Sequence, residues 1–155
     1  MGSGMRKLLV ARVADRPVGF LTDHLAEISP LPRLYPLPVA YPYLRATAFL
    51  KGQLVTVLDT PALVDEPPAG EGGELLLRLA SPLGNLALTV SAVEDVVAYD
   101  ELALREEKTE GIWGGLYPWN QEWVGVINPS AVAAELSRAM ALSVHYQTAG
   151  RDHAS

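Results

Sequence analysis

Only three imidazoles occur in the 155 residues, His24, His145 and His153, and none stands at metal-ligand spacing from another. A zinc site would draw on a paired set such as two histidines one helical turn apart. Each histidine therefore reads as satisfied or solvent-facing. With no cysteine in the chain, disulfides, thiolate metal sites and thiol nucleophiles are excluded. Ser81, Ser91, Ser130 and Ser137 lack the G-x-S-x-G elbow that would expose a nucleophile. The carboxylate neighbours Glu94/Asp95 and Glu106/Glu107 are adjacent in sequence; on a strand they point to opposite faces and cannot share a proton. A pair assembled from distant parts of the chain stays open at this level. The stretch Asp65–Gly73 is rich in glycine but has no Lys-Ser/Thr, and its acids repel phosphate, so it reads as a mobile surface loop. A general acid or base needs a positioned partner. None is visible, and the expectation is a protein that is not an enzyme, with no catalytic, metal or cofactor site.

The aromatic residues offer adhesion instead. Trp113, Tyr117, Trp119 and Trp123 are concentrated in one hairpin. Trp113 and Trp123 are expected to pack, since aromatics bury large apolar areas. Pro118-Trp119 is expected at an exposed turn, where Trp119 would serve as a protein-binding hot spot. The alternative is a small-ligand-binding β-barrel using the same Trp-rich hairpin. Charge argues against nucleic acid: residues 1–64 hold seven Lys/Arg against four Asp/Glu, and residues 65–155 five against fourteen, giving the net −6. Faces of opposite sign favour head-to-tail protein contacts, though a solvated acidic surface accounts for the charge by itself. No run of about 18 apolar residues is present, so no membrane insertion is expected.

The elements that must position these groups are short and strand-like. Hydrophobic content of 49% and charged content of 19% suit one folded domain. Met1-Gly2-Ser3-Gly4 before Met5 reads as a cloning remnant (residues 1–4), residues 5–146 as the domain, and residues 147–155 as a flexible tail. Lys7 to Ala14 is a first strand, turned by Asp15-Arg16 into Pro17–Leu21. Leu25–Ile28 leads into a proline-studded connection through Pro38 that should stay extended without becoming a strand. Ala46–Leu50 and Gln53–Leu58 form a hairpin around Lys51-Gly52, closed by a helical turn capped at Asp59-Thr60-Pro61. Glu74–Ser81 and Leu86–Ser91 form another hairpin, apolar on both faces and so expected at the centre of a sheet or in a barrel wall. Val93–Tyr99 is a strand, Asp100–Gly111 an exposed connection, and Ile112–Leu116 with Trp123–Ile127 a last strand pair. Asn128 caps a terminal helix with Pro129 at its first position. Its buried stripe should be Val132, Leu136, Met140 and Val144. About ten short strands with turn signals favour an all-β barrel or sandwich.

The central hairpin resembles the CheW-like adaptor domain of bacterial chemotaxis. Leu37-Pro38, Tyr43-Leu44, Leu50, Gly52 and Asp59 fall on that family's pattern without a gap. Ala46, Phe49, Lys51 and Thr56 depart from its usual glycine, asparagine, arginine and proline. Val93, Asp95 and Val96 match the family's "Val-x-Asp-Val", and Ile112–Leu116 with Trp123–Ile127 and the helix match its closing segment. These matches run in family order over roughly residues 6–137.

The resemblance implies a mainly β fold of two intertwined five-stranded SH3-like barrels, each with its own core and a groove between them, plus short helical turns and a C-terminal helix. It implies a non-catalytic cytoplasmic scaffold without cofactors. Its partners would be the regulatory domain of a CheA-type histidine kinase and the cytoplasmic tip of a methyl-accepting chemoreceptor. Leu25 and Glu27 match a region used for partner binding, and Lys51 matches the turn residue tied to receptor coupling. Phe49 alters the hydrogen bonding beside that turn, and lysine lacks the planar fork of arginine. The departures suit a divergent adaptor, such as one serving pilus-type motility.

Overall fold

The computed structural model describes residues 6–38, 40–68, 74–106 and 111–154, the last thirteen of these as backbone only. The expected cloning remnant, Glu107, most of the glycine-rich loop and the side chains of Val144, His145 and His153 lie outside the described residues. Strands β1 (Lys7–Val13) and β2 (Arg16–Leu21) form the first hairpin, followed by a 3-10 turn at Thr22–His24. Then come β3 (Leu25–Pro30), β4 (Tyr35–Pro36), β5 (Leu44–Leu50), β6 (Gln53–Leu58) and a one-turn helix α1 (Thr60–Leu63). Next are β7 (Leu75–Leu79), β8 (Leu86–Val90), β9 (Ala92–Ala98), β10 (Trp113–Trp119), β11 (Glu122–Ile127) and helix α2 (Pro129–Ala154).

Two segments go beyond the sequence reading. Leu25–Pro30 is a full strand because it pairs antiparallel with β7, Ile28 opposite Leu77. Within the proline-rich connection, Tyr35 and Pro36 pair with Thr47 and Ala46. Proline is tolerated there because β4 is an edge strand. The α2 backbone is helical to Ala154. Residues 130–149 contain no proline or glycine to stop it.

The strands build two sheets, in the orders β10-β11-β2-β1-β9 and β3-β7-β8-β6-β5-β4. We call the first the terminal lobe and the second the central lobe. The strands fall into two similar series with a reciprocal exchange. Lys7, Arg16, Leu25, Leu44 and Gln53 open the strands of one series. Leu75, Leu86, Ala92, Trp113 and Glu122 open those of a second, at an offset close to 69 residues. In each series the third strand crosses over: β3 joins the hairpin of the second series, and β9 that of the first. Both lobes also share a parallel junction, β11 with β2 and β6 with β8. Both close a hairpin with two positive-φ residues, Lys51-Gly52 and Asn120-Gln121, the backbone that matches strand twist.

Each sheet curls around its own small core, and in the terminal lobe the two edges meet through side chains. In the terminal lobe the Tyr117 hydroxyl of β10 donates to Ala98 O at the end of β9 (3.3 Å) and accepts from Asp100 N (2.9 Å). Leu8, Val10, Leu21, Tyr117, Val124 and Val126 fill this curl. Ala48, Leu50, Val55, Val57, Leu76 and Ala87 fill the other. The largest core lies between the lobes. Phe20, Leu58, Leu77, Leu88 and Ile127 meet there under Val132 and Leu136 of α2. A cleft of about 150 Å³ lies at the junction, between His24, Pro82 and Asn128. The α2 stripe turns by one residue from expectation: Ala139 is buried and Met140 is exposed. Asn128 does cap the helix, accepting from Ser130 N (3.1 Å) and Ala131 N (3.3 Å).

Three outcomes test this packing. A Cβ on Gly125 would sit 2.6 Å from the Trp113 ring, which Arg16 stacks on its own side at 4.6 Å. Gly125→Ala should therefore cost about 1–3 kcal/mol, read as a lower urea midpoint with altered tryptophan emission. The fully buried Thr60 Oγ1 accepts from Thr89 N at 2.8 Å. Thr60→Val, equal in shape, should cost about 1–3 kcal/mol by orphaning that amide. Arg6 donates to Asp23 and holds its carboxyl below the ordinary 3.8. A depressed carboxyl pKa stabilises the fold above the unfolded value, and that contribution vanishes as pH falls through the folded value. Asp23→Asn should thus lower Tm by about 1–3 °C near neutrality, with the difference disappearing in scans well below pH 3.8.

Candidate protein-docking site

Strand alternation in the central hairpin sends Ala48 and Leu50 inward and Phe49 outward. Phe49 lies opposite Leu54, and each is 57% exposed. The Tyr35 ring meets Phe49 edge-on at 5.9 Å, and the Arg33 guanidinium lies 5.3 Å from the Tyr35 ring. At the tip, Lys51 Nζ is 3.5 Å from Glu27 Oε2. Phe49, Lys51 and Glu27 are thus gathered at one end of the central lobe by the hairpin and the exchanged strand. Leu25 is half-buried against the inter-lobe core, a packing position.

Trp119 belongs to the other lobe. Its indole Nε1 donates to Asp95 Oδ2 at 3.0 Å, tying β10 to β9, while Pro118 is exposed. Trp123, expected in the packing, is 46% exposed, with the Arg105 guanidinium 4.5 Å from its ring. The reason is register: Val124 and Val126 take the inward positions of β11, so Trp123, opposite Pro118, faces out. Trp113 is half-buried over Gly125. The two lobes therefore present matching tips: Phe49/Leu54 beside Tyr35, and Pro118/Trp123 beside Arg105. Even the edge bridges correspond, Tyr35 to Thr47 and Arg105 to Leu116.

Sequence reasoning passed over Arg33, Tyr35, Leu54 and Arg78. Arg78 left a readable signal, a lone charge inside the apolar run Leu75–Leu79. It donates to Glu27 Oε1 at 3.4 Å and to Gly84 O at 2.7 Å. The other three depend on pairings that no local pattern specifies.

Among the described residues no group of three or more His, Cys, Asp or Glu is placed to hold a metal ion. A polar cleft of about 210 Å³ lies between Arg45, Asp59 and Glu74, where Arg45 Nη1 pairs with Glu74 at 2.9 Å. Neither it nor the junction cleft is lined by a tryptophan, so neither favours the Trp-based ligand site. No helix of the described residues is long and apolar enough to cross a membrane. The geometry offers exposed apolar tips rimmed by charge, which suit contact with another macromolecule.

No curated protein matches the sequence significantly. Among solved structures, the scaffolding protein TtCheW from Thermoanaerobacter tengcongensis is similar in fold, with a TM-score of 0.74 at 15% identity, over 82% of this chain and 86% of that one. The family model of the CheW-like domain matches residues 7–136, and the chain belongs to that family.

Proposed function

We propose that this protein is a non-catalytic cytoplasmic adaptor of a bacterial chemosensory system, joining chemoreceptors to a CheA-type histidine kinase. Family membership supports the adaptor role. The observation that carries it to particular residues is the exposed Phe49–Leu54 pair on a tight hairpin, flanked by Arg33 and Lys51. An apolar centre with a charged rim is the composition of a reversible protein contact. The central tip, with Phe49, Lys51 and Glu27, is assigned to the receptor's cytoplasmic tip. The terminal tip, with Trp119 and Trp123, is assigned to the kinase regulatory domain. Leu25, on the same strand as Glu27, packs into the inter-lobe core and is assigned no partner contact. Each contact is weak alone, and repetition in an array multiplies it. Lys51 and Phe49, which depart from the family's usual residues, suit a receptor of an alternative system such as pilus-type motility.

The test is a titration with the receptor fragment and kinase regulatory domain encoded nearby. The wild type should bind at about tens of micromolar, as transient contacts do. Lys51→Glu and Phe49→Asp should each weaken the receptor contact by about tenfold or more, with little change in Tm. Trp123→Ala should act on the kinase contact. Wild-type protein that binds neither partner would defeat the proposal.

A further inference from the structure

Arg78 reaches acceptors on three elements from a side chain only 16% exposed. Its guanidinium donates to Gly84 O in the β7–β8 turn, to Glu27 Oε1 on β3 and to Gln53 Oε1 on β6. A planar group with five donors satisfies all three from one position. Lys51 takes the other oxygen of the same carboxylate, but from a side chain 79% exposed. An ion pair made by so exposed and flexible an ammonium adds little to stability. Glu27 is thus shared unequally, between a fixed guanidinium and a loose amine.

The terminal lobe supplies an internal control. There Arg12 makes the corresponding set: Glu94 on β9 at 3.0 Å, Asp15 O in the β1–β2 turn at 3.0 Å, and Glu122 on β11 at 3.6 Å. The hairpin residue corresponding to Lys51 is Asn120, with the same positive φ and no charge. That lobe closes on its arginine with no cation in the two-residue turn itself, Asn120-Gln121. Closure is therefore the arginine's task in both lobes, and Lys51 is an addition peculiar to the central one.

We propose that Arg78 is the positioning residue of the central docking face, holding Glu27 and Gln53 so that Lys51 is free to exchange Glu27 for a carboxylate of the partner. The assignment rests on the adaptor role proposed above. The partner surface it fits has an apolar centre against Phe49 and Leu54 and an acidic residue facing Lys51. The exchange is cheap because Glu27 keeps its pairing with Arg78 when Lys51 leaves. Without Arg78, Lys51 would be the only cation left on Glu27 among the pairs described and would be held back from the partner.

The experiment compares Arg78→Gln, Arg78→Lys, Lys51→Gln and the double Gln variant by melting temperature and by affinity for the receptor's cytoplasmic fragment, measured well below any melting transition. Arg78→Gln should lower Tm by about 2–4 °C or more, and Lys51→Gln by less than about 1 °C. Both should weaken receptor binding by about three- to tenfold. The double variant should bind within about twofold of the weaker single one, because both changes remove the same available ammonium. Arg78→Lys keeps a cation beside Glu27 but loses the fork that also reaches Gly84 O and Gln53, so it should melt like Arg78→Gln while keeping more of the receptor affinity. A merely structural Arg78 would lower Tm and leave affinity intact, which overturns the proposal. So do losses of affinity that multiply in the double variant, or a Lys51→Gln that melts as low as Arg78→Gln. If wild-type protein binds no receptor fragment, the adaptor reading and the exchange fall together. The melting data then still decide whether arginine or lysine holds Glu27.

Discussion

The apolar cluster between the two sheets is what the remainder of the molecule depends on. It takes Leu9 and Phe20 from the first series of strands, Leu77 and Leu88 from the second, and Leu136 from the helix. Fully burying one such side chain stabilises by roughly 1.5–3 kcal/mol, whereas an exposed ion pair contributes about 0–1 kcal/mol. Packing, not the numerous surface salt bridges, therefore sets the relative placement of the lobes. A body joined through its largest core has little freedom to hinge, so its two tips keep a fixed separation and direction. For an adaptor that is the useful property, since geometry then passes from one partner to the other.

The polar groups refine this frame. Arg12 and Arg78 each tie a turn, an exchanged strand and a hairpin strand, so each sheet curls closed at its weakest seam. Exposed strand edges are aggregation hazards, and here they are blunted locally. Arg105 exchanges two backbone hydrogen bonds with Leu116 on the outer edge of β10. Asp95 turns its Oδ1 to the Val96 amide, blocking one donor of β9. Pro30 and Pro36 carry no amide hydrogen on β3 and β4. Apolar surface is thus left on the hairpin tips while the ladder edges are kept from indiscriminate pairing.

Much of this was legible because hairpins are local. Lys51-Gly52 between two apolar runs, Asp59-Thr60-Pro61 and Asn128-Pro129 each specify their element through a few neighbouring residues, and the structure has all three. The family pattern likewise lay in short motifs. What stayed hidden depends on residues far apart in sequence. Leu25–Pro30 reads as a strand only once β7 is beside it. Alternation says that Trp123 and Val124 face opposite ways, but which way is inward is decided by β2 and β10. Ala139 replaces Met140 in the core because the helix meets the sheets at an angle that no helical periodicity encodes. Glu27 and Lys51 could be named singly, yet their meeting through Arg78 needed the curl of a whole sheet.

The exchanged strands also impose an order on synthesis. When α1 leaves the ribosome, β1, β2, β3 and β6 already exist, but β3 has no β7 and β1 has no β9. Neither sheet reaches its final strand set until the second series follows, so the nascent first half carries apolar surface with nowhere to put it. Non-local pairing of this kind folds slowly and exposes intermediates. The pressure this places on the living cell falls on translation and chaperoning, before any signal is sensed.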